Sequence, residues 1–315
     1  GIVPDFLTLL HGVIDSPDIP LNVSRSFLQS DSNVKKISSH ITKKVADKLE
    51  ELFHSKREDF ESKWDDIKIF IEYGMISEEK FRERGKKFCL LKNTEDKYFT
   101  LDEYREHISE KQTDKDKKLV HLYATDKEAQ HGFIASARER GYDVLLMETP
   151  IDSHFINMLE QETENTSFVR VDAEVTDKLI RKEDELSSKL SQEDKDKLKA
   201  VIEKQLDGIQ FQIAFENLSE GEQPMLIVQP EFMRRMKDMS AVGGGMNFMG
   251  NLPDTYQLVV NTNHAVINRL LSEQDAPAQE KQISQLIDLA MLSKNLLKGE
   301  KLTAFIKRSV DLIQP

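Results

Sequence analysis

The stretch LVHLYATDKEAQHGFIASARERGYDVLLM, residues 119–147, decides the fold class. Residues 119–123 predict a β-strand, residues 127–140 predict a helix that stops at Gly141, and residues 144–147 predict a second strand. A strand, a helix and a strand in this order imply a parallel sheet with a right-handed crossover. Apolar residues at 155–159 and 168–171 extend this strand pattern. We therefore expect a small three-layer α/β subdomain with a parallel sheet.

The part of the chain before this stretch has helical periodicity. From Val34, apolar residues recur every three or four positions, which predicts a helix of about five turns. Similar repeats at 60–71 and 81–91 predict two more helices. Thr100 and Glu103 have the spacing of a capping box, which predicts the start of a short helix. These segments indicate a small helical subdomain.

The last part of the chain mixes strands and helices. Ser191 and Asp194 mark a helix start, and alternating apolar residues at 209–215 indicate a strand with one buried face. Further strands are predicted at 226–228 and 258–260, and helices at 266–271, 283–297 (ended by Gly299) and 302–313. The sequence thus predicts an α+β (mixed α/β) protein with a first domain at 1–180, divided into a turn-rich region at 1–33, a helical subdomain at 34–110 and an α/β subdomain at 115–175, and a mixed domain at 190–315.

The composition excludes several classes of protein. The 315 residues contain 56 acidic and 44 basic side chains, a net charge of −12, which argues against a dedicated nucleic-acid binder. No apolar run approaches the ~20 residues that span a bilayer, so no membrane partner is expected. The single cysteine, Cys89, suits a reducing cytosol, and we expect a cytoplasmic protein. Because the chain begins at Gly1 rather than methionine, we also expect a missing upstream part.

Motifs of self-contained catalysis are missing from the sequence. The turn at 124–127 has no glycine fingerprint for a dinucleotide, and Asn251 and Leu252 stand where a phosphate-binding loop needs lysine and serine or threonine. The eight histidines include no pair spaced to hold a metal from one helix face, so no metal site is predicted. A free-standing enzyme therefore has little support.

Two features remain as functional candidates. Arg25 lies in a polar loop with Asn22 and Gln29, where it is either a phosphate contact or a surface arginine in a salt bridge. The second feature is a patch of soft apolar side chains interleaved with Arg234, Arg235 and Lys237. Its members are Phe232, Met233, Met236, Met239, Phe248 and Met249. Three of these methionines share one face of a helix opened by Pro230, and the patch is either core or an adaptable binding surface.

The segment HGVIDSPDIPLNVSR, residues 11–25, resembles a signature of the 90-kDa heat-shock-protein chaperones. Residues 34–48, 142–146, 150–152 and 233–239 extend the resemblance over nearly the whole chain. The resemblance implies the end of this family's middle domain, at 1–180, followed by its C-terminal dimerisation and client-binding domain, at 190–315. The C-terminal Gln314-Pro315 carries no acidic co-chaperone motif and resembles the bacterial members.

The resemblance also implies roles for the candidate residues. Arg25 would reach the γ-phosphate of ATP in the closed dimer, with Asn22 and Gln29 in the same catalytic loop, although Ser26 stands where the family commonly has glutamate. The methionine-rich segment would contact unfolded or partly folded clients. No cofactor is implied for this fragment, whereas the complete protein would use ATP and Mg²⁺ bound by its own missing N-terminal domain. The rival interpretation is a nucleotide-independent dimeric scaffold or adaptor.

The last two predicted helices indicate a homodimer. Apolar residues on the helix at 283–297 cover more of its circumference than one buried stripe requires. Two such helices from each protomer could close a four-helix bundle about a two-fold axis. The dimerisation residues are predicted to be Ile283, Leu286, Ile287, Ala290, Leu302, Phe305, Ile306 and Val310. Alternatively, both helices simply cap their own domain.

Overall fold

The computed structural model describes residues 3–7, 32–182, 186–206, 211–232, 234–235, 256–311 and 313. Its helices are a 3₁₀ turn at Asp5–Leu7, α1 (Ser32–Ser55), α2 (Arg57–Ser62), α3 (Trp64–Ser77), α4 (Glu79–Gly85), α5 (Leu101–Gln112), α6 (His131–Glu139), α7 (Asp152–Glu162), α8 (Thr176–Leu179), α9 (Gln192–Gln205), α10 (Ala265–Ser272), α11 (Ala276–Ser293) and α12 (Gly299–Asp311). Its strands are β1 (Leu90–Lys92), β2 (Tyr98–Thr100), β3 (Leu119–Ala124), β4 (Val144–Leu146), β5 (Thr166–Arg170), β6 (Phe211–Glu216), β7 (Met225–Val228) and β8 (Tyr256–Asn261). The fold is mixed α+β, which confirms the predicted class.

The described residues form two compact units. The first unit comprises the residues up to His107 together with Met147–Glu164, and the second comprises Ile108–Leu146 and the residues from Asn165 onward. The chain passes from the first unit to the second within α5, returns to the first at Met147 and enters the second again at Asn165.

The first unit is mainly helical and has an aromatic core. The rings of Phe60 and Phe88 approach edge to face with centroids 6.4 Å apart, and those of Phe81 and Phe88 lie at 6.1 Å. Gly74 of α3 permits close packing, because a Cβ there would lie 2.7 Å from the ring of Phe6. The unit also contains the antiparallel hairpin β1–β2. The predicted capping box opens α5, with the Glu103 N–H donating to Thr100 Oγ1 at 3.2 Å and the Thr100 N–H donating to Glu103 Oε2 at 2.8 Å.

The second unit contains two three-stranded sheets. The first has the order β4-β3-β5 with all strands parallel, as the strand-helix-strand pattern predicted. The helix of this pattern, α6, is followed by Gly141 in the left-handed region at φ 74°, which confirms the predicted stop. The second sheet has the order β6-β8-β7, in which β6 is parallel and β7 antiparallel to β8. Helices α9 and α11 contribute to the hydrophobic core beside this sheet.

Three local predictions were wrong. Residues 155–159 belong to α7 rather than to a strand, and Leu91 lies in strand β1 rather than in a third helix. Short apolar runs do not distinguish a buried strand from a helix, so their length and packing decide. Helix α11 ends at Ser293, where Asn295 takes the left-handed conformation, and Gly299 begins α12 instead of ending α11.

Candidate interaction surfaces

Several candidate residues lie outside the described part of the chain. They are the predicted catalytic residues Asn22, Arg25 and Gln29 and the predicted client contacts Met233, Met236, Met239, Phe248 and Met249. The described residues that bear on the candidate surfaces are Phe232 with its neighbours and the helix pair α11–α12.

Phe232 is the described member of the predicted client surface. The backbone is helical at 231–232 and 234–235, and the Arg234 N–H donates to the carbonyl of Pro230 at 3.4 Å. This agrees with the predicted helix start at Pro230. The Phe232 side chain is 71% exposed. An exposed phenylalanine beside a turn that is fixed by polar contacts is available for binding an apolar partner.

The sequence predicted arginines interleaved with the exposed apolar patch, but the arginines beside Phe232 do not lie in it. Arg234 is only 5% exposed, and its guanidinium donates to the hydroxyl of Tyr123 and, at 2.8 Å, to Glu231 Oε1. Arg235 donates to the carbonyl of Phe168 at 2.6 Å. Residues 231, 234 and 235 share one helical face, so their charges turn toward the β3–β5 sheet while Phe232 faces solvent.

Tyr123 lies at the centre of this polar network. Its ring is buried, its hydroxyl donates to Glu231 Oε1 at 2.6 Å, and the guanidinium carbon of Arg234 lies 5.7 Å from the ring centroid. Burial and the adjacent Glu231 charge raise the pKa of Tyr123. The hydroxyl therefore stays protonated and acts as a hydrogen-bond donor.

A second set of ion pairs extends the network from β5 to the end of α11. Arg170 and Lys294 both pair with the carboxylate of Asp172, and Arg170 Nη2 donates to Gln229 Oε1 at 3.0 Å. Burial opposes ionisation of Asp172, but the two cations outweigh it and hold its pKa below the ordinary value. Burial lowers the pKa of Lys294, whose ammonium also lies 4.9 Å from the ring centroid of Phe133.

Helices α11 and α12 divide the predicted dimerisation residues into two groups. Ile283, Ile287, Ala290 and Phe305 are buried in the core of their own chain, and Leu286 and Leu302 pack against that core while partly buried. Ile306 and Val310, by contrast, are 54% and 50% exposed. The inner residues therefore attach the helix pair to its own unit.

The outer faces of the two helices leave further apolar side chains in solvent. On α12, the exposed Ile306 and Val310 lie one turn apart, and Ile313 follows three residues later. On α11, Leu289 and Leu292 are exposed. Arg308 joins the helices, because its Nε donates to Gln285 Oε1 at 2.7 Å and its guanidinium pairs with Asp288. The helices are thus held together within one chain while apolar surface remains uncovered.

The first unit holds a different buried polar cluster. Lys68 lies 3.2 Å from Asp152 Oδ2 and 3.7 Å from Glu72 Oε1. Asp152 also accepts hydrogen bonds from the backbone N–H and hydroxyl of Thr149, at 2.9 and 2.7 Å. Neither oxygen of Glu72 has a hydrogen-bond partner among the described residues. Burial raises the pKa of Glu72 well above its ordinary value, and the Lys68 ammonium only partly offsets this rise.

The described residues contain no group of three or more histidine, cysteine, aspartate or glutamate side chains that could hold a metal ion. None of the helices in the described ranges is long and apolar enough to cross a membrane.

Comparison with known proteins assigns the family. Residues 1–308 match the family described as Hsp90 protein. The chain belongs to the Hsp90 family. This confirms the resemblance drawn from residues 11–25.

Relatives of this Hsp90-family chain include proteins named Chaperone protein HtpG. The protein from Porphyromonas gingivalis (strain W83) is 45% identical, over 99% of this chain and 56% of its own length. That of Bacteroides fragilis (strain YCH46) is 42% identical with the same coverage, and that of Myxococcus xanthus is 26% identical over 99% of this chain and 48% of its own length. The chain thus spans about half the length of the curated relatives it matches.

Sequence reasoning missed the network around Glu231. The spacing of Glu231, Arg234 and Arg235 is a recognisable signal for ion pairs within one helical turn. Nothing in the sequence, however, indicates that Tyr123, 108 positions away, would join them.

Proposed function

We propose that this chain is the dimerising and client-holding part of an Hsp90-type molecular chaperone of the bacterial kind that works in the cytosol. Membership of the Hsp90 family over residues 1–308 carries this proposal. The names of its HtpG relatives support it. The clients are unfolded or partly folded proteins, which expose the apolar side chains that a folded protein buries.

The proposed client surface centres on Phe232 and continues in Met233, Met236, Met239, Phe248 and Met249. The 71% exposure of Phe232 supports this assignment, since a phenylalanine that only packed in the core would be covered. Methionine side chains are flexible and polarisable, so they adapt to many partners. A surface of this composition suits clients that share no sequence.

The proposed homodimer forms through the outer faces of α11 and α12 and closes a four-helix bundle. The residues available for it are Leu289, Leu292, Ile306, Val310 and Ile313, all exposed in the single chain. Each aliphatic side chain that becomes fully buried contributes roughly 1.5–3 kcal/mol. These side chains are 41–82% exposed in the single chain, so the ten of the two protomers together contribute roughly 8–16 kcal/mol, which offsets an association cost of about 4–15 kcal/mol.

Two variants with different expected defects test the proposed function. Phe232→Ser should weaken suppression of aggregation of guanidinium-denatured citrate synthase, measured by light scattering, while the chain stays dimeric. Ile306→Glu combined with Val310→Glu should convert the dimer to a monomer in analytical ultracentrifugation, because burying the new carboxylates at the interface without cationic partners is unfavourable. Phe232 lies at an exposed position, so Phe232→Ser should change the melting temperature little, whereas loss of the dimer should lower it because subunit association stabilises the folded state.

The outcomes separate the proposal from its alternative. A wild-type chain that remains monomeric at tens of micromolar contradicts the dimer. A dimer that does not slow aggregation favours the scaffold or adaptor interpretation.

In a complete chaperone of this family, we assign Arg25 the contact with the γ-phosphate of ATP, with Asn22 and Gln29 in the same loop. ATP and Mg²⁺ would be bound by an N-terminal ATP-binding domain of that longer protein. The motif at 22–25 supports this assignment. A guanidinium that stabilises charge on the transferred phosphoryl group raises turnover more than nucleotide affinity. Arg25→Ala in the complete protein should therefore lower ATPase turnover and leave the dissociation constant of ATP nearly unchanged.

A further inference from the structure

Strand β5 forms an open edge of the parallel sheet, because the strand order is β4-β3-β5. Backbone groups alternate in direction along such a strand. The N–H of Val171 donates to the carbonyl of Tyr123 on β3, so the polar backbone groups of Phe168 and Arg170 point away from β3. An uncovered edge of this kind is a template for unwanted strand pairing.

Glu231 and Arg235 cover this edge with their side chains. The backbone N–H of Arg170 donates to Glu231 Oε2 at 3.1 Å. The carbonyl of Phe168 accepts from Arg235 Nη2 at 2.6 Å. One donor and one acceptor of the edge are therefore satisfied by two side chains four residues apart, which is the spacing of one helical turn.

The other oxygen of Glu231 joins the turn to the neighbouring strand. Glu231 Oε1 accepts from the hydroxyl of Tyr123 on β3 at 2.6 Å, from Arg234 Nη2 at 2.8 Å and from Arg235 Nε at 3.1 Å. A single carboxylate thus contacts β3, β5 and its own helical turn. Hydrogen bonds to a charged acceptor are about twice as strong as those between neutral groups, so this contact holds the turn firmly.

We propose that Glu231 is the positioning residue of the client surface: its carboxylate, bonded to β3, β5, Arg234 and Arg235, fixes the neighbouring Phe232 toward solvent. This inference rests on the proposed function, since it assumes that Phe232 contacts clients. Glu231 itself does not touch the client. Its role is to keep the exposed ring of Phe232 from turning into the space beside the sheet. A mobile ring would lose conformational entropy when a client binds, and holding the ring in place beforehand reduces that cost.

Limited trypsin digestion of the 315-residue chain, with cleavage sites identified by mass spectrometry, tests the attachment. In the wild type, the bonds after Arg234 and Arg235 should be cleaved slowly, because both guanidinium groups are engaged. Glu231→Gln removes the negative charge that both arginines share. Cleavage after them should then accelerate roughly tenfold or more, since proteolysis follows the population of the opened turn.

Glu222→Gln is the matched control, because Glu222 is a similarly covered carboxylate of the same unit that pairs with Arg140 instead. It should leave cleavage at 234 and 235 unchanged. Arg235→Lys is a milder second variant that removes the guanidinium contact with Phe168 and should give an intermediate acceleration. Equal acceleration in the Glu222 and Glu231 variants would overturn the inference, as would unchanged cleavage in both Glu231→Gln and Arg235→Lys.

Suppression of the aggregation of denatured citrate synthase tests whether the attachment through Glu231 affects the holding of clients. Glu231→Gln should raise the chain concentration needed for half-maximal suppression by roughly threefold or more, measured well below the thermal midpoints of both chains so that both stay folded. Faster cleavage without any loss of holding would overturn the positioning role. A wild-type chain that holds no client, yet shows the expected cleavage pattern, would instead contradict the proposed function.

Discussion

Glu72 and Glu231 are two carboxylates withdrawn from solvent, one in each unit, with opposite surroundings. Glu72 is fully buried, and the ammonium of Lys68 lies 3.7 Å from its Oε1. Glu231 is partly covered and accepts from Tyr123, Arg170, Arg234 and Arg235. The two residues have the same chemistry, but only one is surrounded by donors.

The difference teaches that the supply of donors, and not burial alone, decides what a carboxylate does. Without donors, desolvation disfavours the ionised form, so Glu72 retains a proton to unusually high pH. With donors from several segments, a carboxylate becomes a junction that fixes those segments relative to one another. Asp172 follows the second pattern, since Arg170 and Lys294 keep it ionised despite its burial.

The largest expected loss of stability comes from removing the cation of the buried Lys68–Glu72–Asp152 cluster in the first unit. Lys68→Met leaves Asp152 buried without its ion pair, which should cost about 3–5 kcal/mol of unfolding free energy. Urea unfolding followed by the fluorescence of Trp64, the single tryptophan, reports on this unit. As a control, Lys63→Met removes an exposed lysine that pairs with Asp59 and should leave the unfolding free energy nearly unchanged. Equal losses in the two variants would show that the buried cluster has no special weight.

A smaller loss of stability is expected from removing one hydrogen-bond donor of the network around Glu231 in the second unit. Tyr123→Phe deletes the hydroxyl that donates to Glu231 and accepts from the buried Arg234, and it should cost about 1–3 kcal/mol. Urea unfolding followed by far-UV circular dichroism measures the change. Tyr73→Phe, at a surface tyrosine, is the matched control and should be nearly neutral. If Tyr123→Phe were equally neutral, the network would not stabilise the unit.

The smallest effect concerns the pH dependence of Glu72. In the unfolded chain its carboxyl ionises near 4.5, whereas in the folded chain the raised pKa retains the proton to higher pH. Rising pH therefore favours the unfolded state, and the contribution of Glu72 to stability is lost as pH rises from about 4.5 through the raised pKa. The Glu72→Gln variant has no titratable group at this position, so its stability should lack this decline with rising pH. Urea midpoints from Trp64 fluorescence between pH 4.5 and 8 should thus diverge as pH rises, and parallel curves would contradict the assignment.

Much of the secondary structure was predictable because its signals are local. The repeat from Val34 predicted a helix, which the structure has as Ser32–Ser55. The capping box of Ser191 and Asp194 is present at the start of α9. Capping depends on residues three positions apart, so no tertiary information is needed.

The candidate surfaces were only partly predictable. The apolar excess on α11 and α12 was visible in the sequence, but the side chains that face the core were not separable from those left outside. The structure buries Phe305 and exposes the adjacent Ile306. It also turns Arg234 inward, although the sequence suggested a charge among exposed apolar groups.

The sequence by itself determined the family, the mixed fold class, the helix starts and the parallel arrangement of β3 with its neighbours. Each of these follows from motifs and periodicities within short stretches of chain. Only the tertiary structure decided that Tyr123 and Arg170 meet Glu231, and that no described residue donates a hydrogen bond to Glu72. Those contacts depend on where distant segments come together in space, because hydrogen bonding and desolvation act over a few ångströms regardless of separation along the chain.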